Sequence, residues 1–399
     1  MENTKQSMLD KMDIEISGEK VYFSAFLFYF VAMFLGTTTY TQYISLHLLN
    51  YISYISLGLL FFKIFLFDKL SRMEVVVYVL SVSVSLMTWL ETNSILGFAS
   101  MMFILGAKGI KLTKIIEWYF NLGTIMLIFV VISSQIGVIQ NLTYERSGIF
   151  RQAFGIIYPT DFASHVFYLL LAYSYLNFGR LKFKSFLAFF GTGILVILLC
   201  DARLSAICII LMIPVLYLAQ SAQNGGNLTR KLMSLSWILV PTLTFLVVMA
   251  SVFFDAKNRI FIFFNNLFSD RLALSHIGFN RYGFSLLGKP ITEHGWGGTK
   301  GLKSYHGLTE NFHYFMLDSS IVRIFILYGT IFALLLFTLV AIKMLKEAFE
   351  KQYGLIACLM LVIIAGVVEQ HFLELVYNPF LIGIVAITTE KSKGIFERW

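Results

Sequence analysis

The sequence predicts an all-α, polytopic integral membrane protein with about twelve transmembrane helices and one large outer loop. Of its 399 residues, 58% are hydrophobic and only 14% are charged, whereas soluble domains carry about a quarter charged residues. Long apolar runs recur along the chain, and its five prolines interrupt them little. An outer-membrane β-barrel is disfavoured, because its strands are short segments of alternating hydrophobicity.

The predicted spans are the apolar runs themselves, since crossing the hydrocarbon takes about 20 helical residues. They divide the chain into nine spans with short loops over residues 1–254, a large outer loop over 255–317, and three spans with a cytoplasmic tail over 318–399. The runs lie near residues 21–36, 43–67, 74–91, 94–110, 120–139, 160–179, 185–200, 203–221, 234–254, 319–342, 354–368 and 370–389. The first span is expected to act as its own insertion signal, because it shows no small-residue cleavage site.

The lysine and arginine distribution predicts the orientation of a multi-pass protein in the cell membrane. One set of alternate loops, taken with both termini, holds twenty of the 31 basic residues. The opposite set holds eleven, and seven of those lie in the large loop. Because cytoplasmic loops are enriched in lysine and arginine, both termini are predicted to be cytoplasmic and the large loop to be outside. The distribution of the basic residues thus accounts for the net charge of +8 as a feature of membrane topology. We therefore expect no nucleic-acid partner.

The large loop is the one long hydrophilic segment of the sequence. A polar loop held between membrane spans is an expected place for a binding or catalytic site. Residues 276–287 have a loosely helical pattern, and the glycine-rich residues 288–309 predict irregular backbone. The loop follows nine predicted spans and precedes three. This asymmetry disfavours a transporter built from two repeated halves, whose longest connection would lie near the middle.

Arginine-containing patches on the predicted outer side form the candidate site. They lie at residues 146–165, 200–205, 271–298 and 317–329. An arginine at membrane depth costs about 2.5–3.5 kcal/mol on insertion scales, so it usually has a partner or a task. Its planar guanidinium matches phosphate oxygens with two parallel hydrogen bonds. The patches therefore predict a site for a diphosphate at the membrane surface.

Several of these side chains also fit a structural interpretation. Arg203, at a tight turn between two spans, is placed to extend towards the lipid headgroups. Asp318 and Arg323 are five residues apart, or about 140° around a helix, so each is expected to find a different partner. Asp161 and His165 are four residues apart and share a helix face, which fits either a site or a structural hydrogen bond.

The loop histidines do not predict a metal site. His294, His306 and His313 have neither an HExxH motif nor the paired short spacing of zinc ligands. The GWGG cluster lacks the GxxxxGK[ST] order of a phosphate-binding loop. The three cysteines lie in or beside apolar runs and imply no disulfide framework. We therefore expect neither a metal nor a cofactor.

Four segments together resemble the Wzy-type polymerases of bacterial capsule and O-antigen synthesis, within the O-antigen ligase-like superfamily. RQAFGIIYPTDFA at 151–163 is similar to that family's segment of an arginine, a glycine–aromatic stretch and proline–asparagine. DARLS at 201–205 is similar to its serine–arginine hairpin, and SDRLALSHIGFNRYGFSLLG at 269–288 to its loop segment. LDSSIVRIFILYG at 317–329 is similar to the start of the span after the large loop. The chain departs from the pattern at Asp161, where the family has asparagine.

The resemblance implies a GT-C-like membrane glycosyltransferase that works without a metal. It would join repeat units into capsular or O-antigen polysaccharide at the outer face of the cytoplasmic membrane. Its substrates would be oligosaccharide repeat units carried on a polyprenyl diphosphate, and its surroundings membrane lipid and other capsule-assembly proteins. In this scheme the arginines stabilise the leaving diphosphate, while Asp318, with His313 as second candidate, orients or deprotonates the acceptor hydroxyl. The expected catalytic residues are Arg271, Asp318 and His313, and the expected diphosphate- or glycan-binding residues are Arg151, Arg203, Arg281 and Arg323.

Two alternatives stay open at this point. The related O-antigen ligases also transfer glycans from a lipid carrier, but they have histidine where this chain has Asp318. A flippase or transporter for the same lipid-linked sugars would perform no chemistry. The off-centre loop and the arginines clustered on one side favour the polymerase over the transporter.

Overall fold

The chain folds into a bundle of helices. A computed structural model describes residues 17–308 and 312–388. The described chain is mostly helical, which confirms the predicted helical class, and eight of its helical stretches are long and apolar enough to cross a membrane, which is consistent with a multi-pass protein. The count of twelve spans, the GT-C-like architecture and the location of the termini remain predictions.

The helices and strands are numbered here in chain order. The elements before the large loop are α1 Gly18–Gly36, α2 Leu46–Phe67, α3 Arg72–Thr92, α4 Leu96–Gly106, α5 Leu112–Gln135, β1 Thr143–Arg146, β2 Ile149–Gln152, α6 Pro159–Leu176, α7 Phe183–Cys200, α8 Arg203–Gln223, α9 Asn227–Leu235 and α10 Leu239–Val252. Those that follow are α11 Arg259–Leu267, α12 Arg271–Tyr282, α13 Gly298–Tyr305, α14 Ser320–Arg323, α15 Gly329–Phe349 and α16 Tyr353–Ala365. A 3₁₀ turn joins α9 to α10 and a π turn joins α14 to α15, so each pair forms one membrane-length stretch.

Short sequence signals explain where the elements near the site begin and end. Pro159 occupies the first turn of α6, where its missing N–H leaves no bond unmade. Asp201 adopts a left-handed conformation (φ 44°) that ends α7. Only two residues separate α7 from α8, so this corner is tight. Strands β1 and β2 form an antiparallel hairpin in which Tyr144 faces Arg151.

The last apolar run is not the continuous helix that the sequence predicts over 370–389. Its described part consists of turns and 3₁₀ segments, His371–Leu373 and Phe380–Ile384. Pro379 supplies no N–H for a helix, and the Asn378 side chain bonds the Phe372 carbonyl (2.7 Å) and the Phe380 amide (3.1 Å) instead. The segment is largely buried, which is where non-helical backbone is tolerated at membrane depth.

The large loop contains more regular structure than the sequence predicts. Helix α12 matches the expected helical pattern in part, but α13 lies inside the stretch 288–309 that was expected to be irregular. Leu302 and Tyr305 of α13 pack beside Tyr144 of the hairpin, and this apolar contact stabilises the extra helix.

The loop also makes backbone contacts with the next span. The Lys289 amide donates to the Leu327 carbonyl (3.2 Å), and the Thr330 amide donates to the Ser285 carbonyl (2.9 Å). A Cβ on Gly288 would lie 2.1 Å from the Leu327 carbonyl oxygen, so only glycine fits there. These contacts occur where a π turn opens the helix, and they fix the loop against the bundle.

Candidate functional site

A polar pocket of about 460 Å³ lies where the large loop meets the bundle. The β1–β2 hairpin, the starts of α6, α8 and α12, the segments before α13 and α14, and the segment after α16 all contribute to it. Charged side chains of both signs line it, and they come from distant parts of the chain. These residues are Arg146, Arg151, Asp161, Asp201, Arg203, Asp270, Arg271, Asp318 and Glu369. The pocket thus brings together four of the seven site residues expected from the sequence.

Arg151 is fixed into the wall of the pocket. Its side chain is almost fully buried, and Nε donates to the Cys200 carbonyl at 2.9 Å. The guanidinium lies 5.3 Å from the centre of the Tyr158 ring and also approaches the Tyr158 hydroxyl at 3.3 Å. Burial raises the pKa of Tyr158, and the neighbouring Arg151 opposes that shift. Arg151 is therefore a preorganised cation and not a mobile loop charge.

Arg203 stands at the corner between α7 and α8. Asp201 lies within 3.0 Å of Arg203 Nε and also forms an ion pair with Arg146. The Arg203 side chain is 61% exposed, so its guanidinium can turn towards a ligand in the pocket. The pairing with Asp201 is compatible with Arg203 contacting a lipid headgroup and also with Arg203 contacting a substrate.

Arg271 and Asp318 meet at the floor of the pocket. Arg271 begins α12, directly after Ser269 and Asp270, both of which have left-handed backbones. Its Nε donates to the Val368 carbonyl at 2.5 Å, and Nη2 lies 3.6 Å from Asp318 Oδ2. Strained non-glycine residues of this kind concentrate at functional sites, where the surrounding structure holds them in place.

The environment of Asp318 favours its neutral form more than water does. Burial raises the pKa of the Asp318 carboxyl, Arg271 opposes the shift, and Glu369 and Asp161 add to it. A carboxylate whose pKa is raised accepts a proton more readily near neutral pH. Asp318 therefore has the chemistry of a group that orients or deprotonates a hydroxyl.

Glu369 lines the pocket, and the sequence analysis did not single it out. Its carboxylate accepts hydrogen bonds from the hydroxyls of Ser164 on α6 (2.8 Å) and Ser205 on α8 (2.6 Å). The residue is only 5% exposed. The available signal was a lone acidic residue at the junction of two apolar runs, and such a residue at membrane depth usually has a function.

His371 lies behind Asp161, outside the pocket lining. Its Nε2 is 3.5 Å from Asp161 Oδ1 and its Nδ1 is 3.0 Å from Glu374 Oε1. The two ring nitrogens of His371 thus face two carboxylates. The Tyr377 ring stacks between His371 and His165, with ring centres 3.7 and 3.9 Å apart. Asp161 thus faces His371, whereas its helix neighbour His165 bonds the Thr37 hydroxyl at 3.2 Å.

Three of the expected site residues lie away from the described pocket lining. Arg281 places its guanidinium 4.7 Å from the centre of the Phe315 ring. His313 is exposed. Since neither faces the pocket, we assign them no substrate contact below.

Arg323 has a carboxylate partner that the sequence did not identify. Its Nη1 donates to Glu293 Oε1 at 2.8 Å, and its Nη2 lies 2.7 Å from Glu293 Oε2, which is a two-bond pairing. Glu293 Oε1 also accepts a bond from the Leu317 amide at 2.9 Å. This pair ties the large loop to the start of α14 and positions the chain next to Asp318. Arg323 therefore has a structural role in the site proposed below.

An apolar cavity of about 700 Å³ adjoins the polar pocket. It is formed by residues of α8, α10, α11 and the end of α16, such as Leu243, Phe264 and Val367. Leu204 and Arg271 line both spaces. A charged group held at Arg271 therefore has a polar chamber on one side and an apolar chamber on the other.

Metal geometry and known relatives give no further assignment. Within residues 17–308 and 312–388, no three histidine, cysteine, aspartate or glutamate side chains are arranged to hold a metal ion. No protein-family model, curated protein or solved structure matches the chain. The polar pocket, the adjoining apolar cavity and the side chains that line them are therefore the basis for the function proposed for this protein.

Proposed function

We propose that this protein is a membrane-embedded, metal-independent glycosyltransferase that joins oligosaccharide repeat units carried on polyprenyl diphosphate into a polysaccharide. The observation that supports the proposal is the junction at Arg271 between the arginine-lined pocket and the apolar cavity. A lipid-linked sugar has the same three parts in the same order: an apolar chain, a diphosphate and a glycan. The apolar cavity would take the first prenyl units, and the polar pocket the diphosphate and the sugars.

The proposed reaction transfers the growing chain from its lipid to the next repeat unit. A hydroxyl oxygen of the acceptor sugar forms a bond to the anomeric carbon of the donor. The bond from that carbon to the phosphate oxygen breaks, and its electron pair leaves on the polyprenyl diphosphate. Arg151, Arg203 and Arg271 stabilise the negative charge that develops on the diphosphate. Asp318 holds the Arg271 guanidinium in place and orients the acceptor hydroxyl.

The test is polymer formation by the purified protein. Lipid-linked single repeats, extracted from a host strain lacking this protein, are added to liposomes that contain it. We expect longer lipid-linked glycans on gels without an ion gradient or nucleotide, and with a chelator present. A chain moved across the bilayer without lengthening would favour a transporter. Transfer to a different lipid core without repeat addition would favour a ligase, and loss of activity in chelator, restored by one divalent ion, would contradict the metal-independent mechanism.

A further inference from the structure

We propose that Glu369 is a catalytic residue that receives the proton of the acceptor hydroxyl; this rests on the proposed glycosyl transfer. The carboxylate lines the polar pocket and is 5% exposed. Its described contacts are serine hydroxyls and not a cation: Ser164 Oγ at 2.8 Å and Ser205 Oγ at 2.6 Å. By comparison, Asp318 and Asp201 in the same pocket each have an arginine within 3.6 Å.

The burial of Glu369 is difficult to explain by stability alone. Moving a carboxylate out of water costs several kcal/mol, and this cost is normally met by an opposite charge as well as by hydrogen bonds. Two neutral hydroxyl donors compensate only part of it. An apolar residue in place of Glu369 would avoid this desolvation cost. A carboxylate at this position is therefore better explained by a need for its basic oxygen. We infer that the pocket keeps this oxygen available for proton transfer.

The carboxylate is also held rigidly, as a proton acceptor must be. Its two serine partners belong to different helices, Ser164 to α6 and Ser205 to α8. Its backbone carbonyl accepts bonds from both the amide and the hydroxyl of Ser320 at the start of α14. Three elements of the bundle therefore determine the position of one carboxylate.

Asp318 has another role in the pocket. Its carboxylate lies 3.6 Å from the Arg271 guanidinium and holds that cation in place for the diphosphate. In this proposal Arg271 binds the diphosphate, Asp318 orients the acceptor hydroxyl and Glu369 accepts its proton. In the proposed step the hydroxyl proton moves to a Glu369 carboxylate oxygen as the acceptor oxygen bonds to the anomeric carbon. The proton then leaves to water in the open pocket.

The experiment compares Glu369→Gln, Glu369→Asp and Glu369→Ala with the wild-type protein in the liposome assay. We expect Glu369→Gln to lower the rate of chain extension by about 10²–10⁴-fold, the contribution of a general base, with normal protein abundance. Binding of undecaprenyl diphosphate should be unchanged, because Glu369 is not assigned to the diphosphate. Formate, which fits the space vacated in Glu369→Ala, should restore part of the rate. Glu347→Gln, a buried carboxylate beside Lys343 on α15, is the matched control, expected to keep wild-type activity per folded molecule.

The possible results separate this inference from the proposed function. Polymer formed by the wild type and by Glu369→Gln at similar rates would overturn the inference and leave the function standing. Loss of undecaprenyl diphosphate binding in Glu369→Gln, or no formate rescue of Glu369→Ala, would show a structural role and also overturn it. No polymer from the wild-type protein would overturn both.

Discussion

Arg271 Nη2 lies 3.6 Å from Asp318 Oδ2, which joins the first residue of α12 to the segment just before α14. The Arg271 guanidinium is held from the other side by the Val368 carbonyl. Three chain segments that are distant in sequence thus converge on one cation. Because this cation also borders the apolar cavity, it stands where the diphosphate of the proposed substrate would join its prenyl chain.

The first prediction concerns the planar fork of Arg271. Arg271→Lys keeps the charge but cannot reproduce the contacts to Val368 and Asp318 while also binding a phosphate. We expect its dissociation constant for undecaprenyl diphosphate to rise about tenfold or more, the effect of one lost charge-assisted hydrogen bond.

Asp318→Asn should slow chain extension with normal membrane abundance. Normal polymer per molecule from Asp318→Asn would remove this residue from the mechanism.

The second prediction compares an arginine in the pocket wall with one outside the described pocket lining. Arg151 is fixed in the pocket wall by Cys200 and Tyr158, whereas Arg281 stacks on Phe315 away from the described lining. Arg151→Ala should weaken undecaprenyl diphosphate binding and shorten the polymer. Arg281→Ala is the matched control and should leave both within about twofold of the wild type. Equal losses in the two variants would mean that the pocket is not the site of diphosphate binding.

The third prediction tests the structural role of Arg323. Arg323→Met leaves the Glu293 carboxylate without its two-bond partner, and an unsatisfied buried group costs about 1–3 kcal/mol or more. We expect a lower melting temperature in detergent and less protein in the membrane, but normal polymer per folded molecule. The double variant Arg323→Met/Glu293→Leu should recover part of the stability, since no charge is left unpaired. Full stability with lost activity in Arg323→Met would instead indicate a substrate contact.

The sequence identified the arginines of the pocket because charge beside apolar runs is visible locally. Arg203 stands at the start of a predicted span, and Arg151 and Arg271 lie in predicted loops between spans. Glu369 was missed, since its serine partners are 164 and 205 residues away along the chain. Periodicity and charge counts describe neighbours on one element and do not report which distant elements meet.

Helix prediction was limited in a similar way. An apolar run indicates that a segment lies out of water, in lipid or in the protein core, but it does not show that the segment is helical. Residues 366–388 are apolar and largely buried, yet Asn378 and Pro379 favour turns. In the large loop, helix α13 follows from contacts with the β1–β2 hairpin. Those contacts have no counterpart in the local sequence.

The final prediction places the pocket with respect to the membrane. The positive-inside distribution predicts that the large loop is outside and that the short turn after α8 is inside. Cysteines introduced at the exposed positions His306 and Asn224 test the two sides separately. The native cysteines Cys200, Cys208 and Cys358 are buried, so their background labelling is expected to be low.

An impermeant maleimide added to intact cells should label His306→Cys at once and Asn224→Cys only after the membrane is permeabilised. The physical reason is that lysine and arginine near a span are retained on the cytoplasmic side, and the short loops here follow that bias. Polymer formation by both variants confirms that labelling reports the folded protein. Labelling of Asn224→Cys in intact cells, with His306→Cys protected, would place the arginine-lined pocket in the cytoplasm. Lipid-linked repeats would then be joined on the cytoplasmic side and not at the outer face of the membrane.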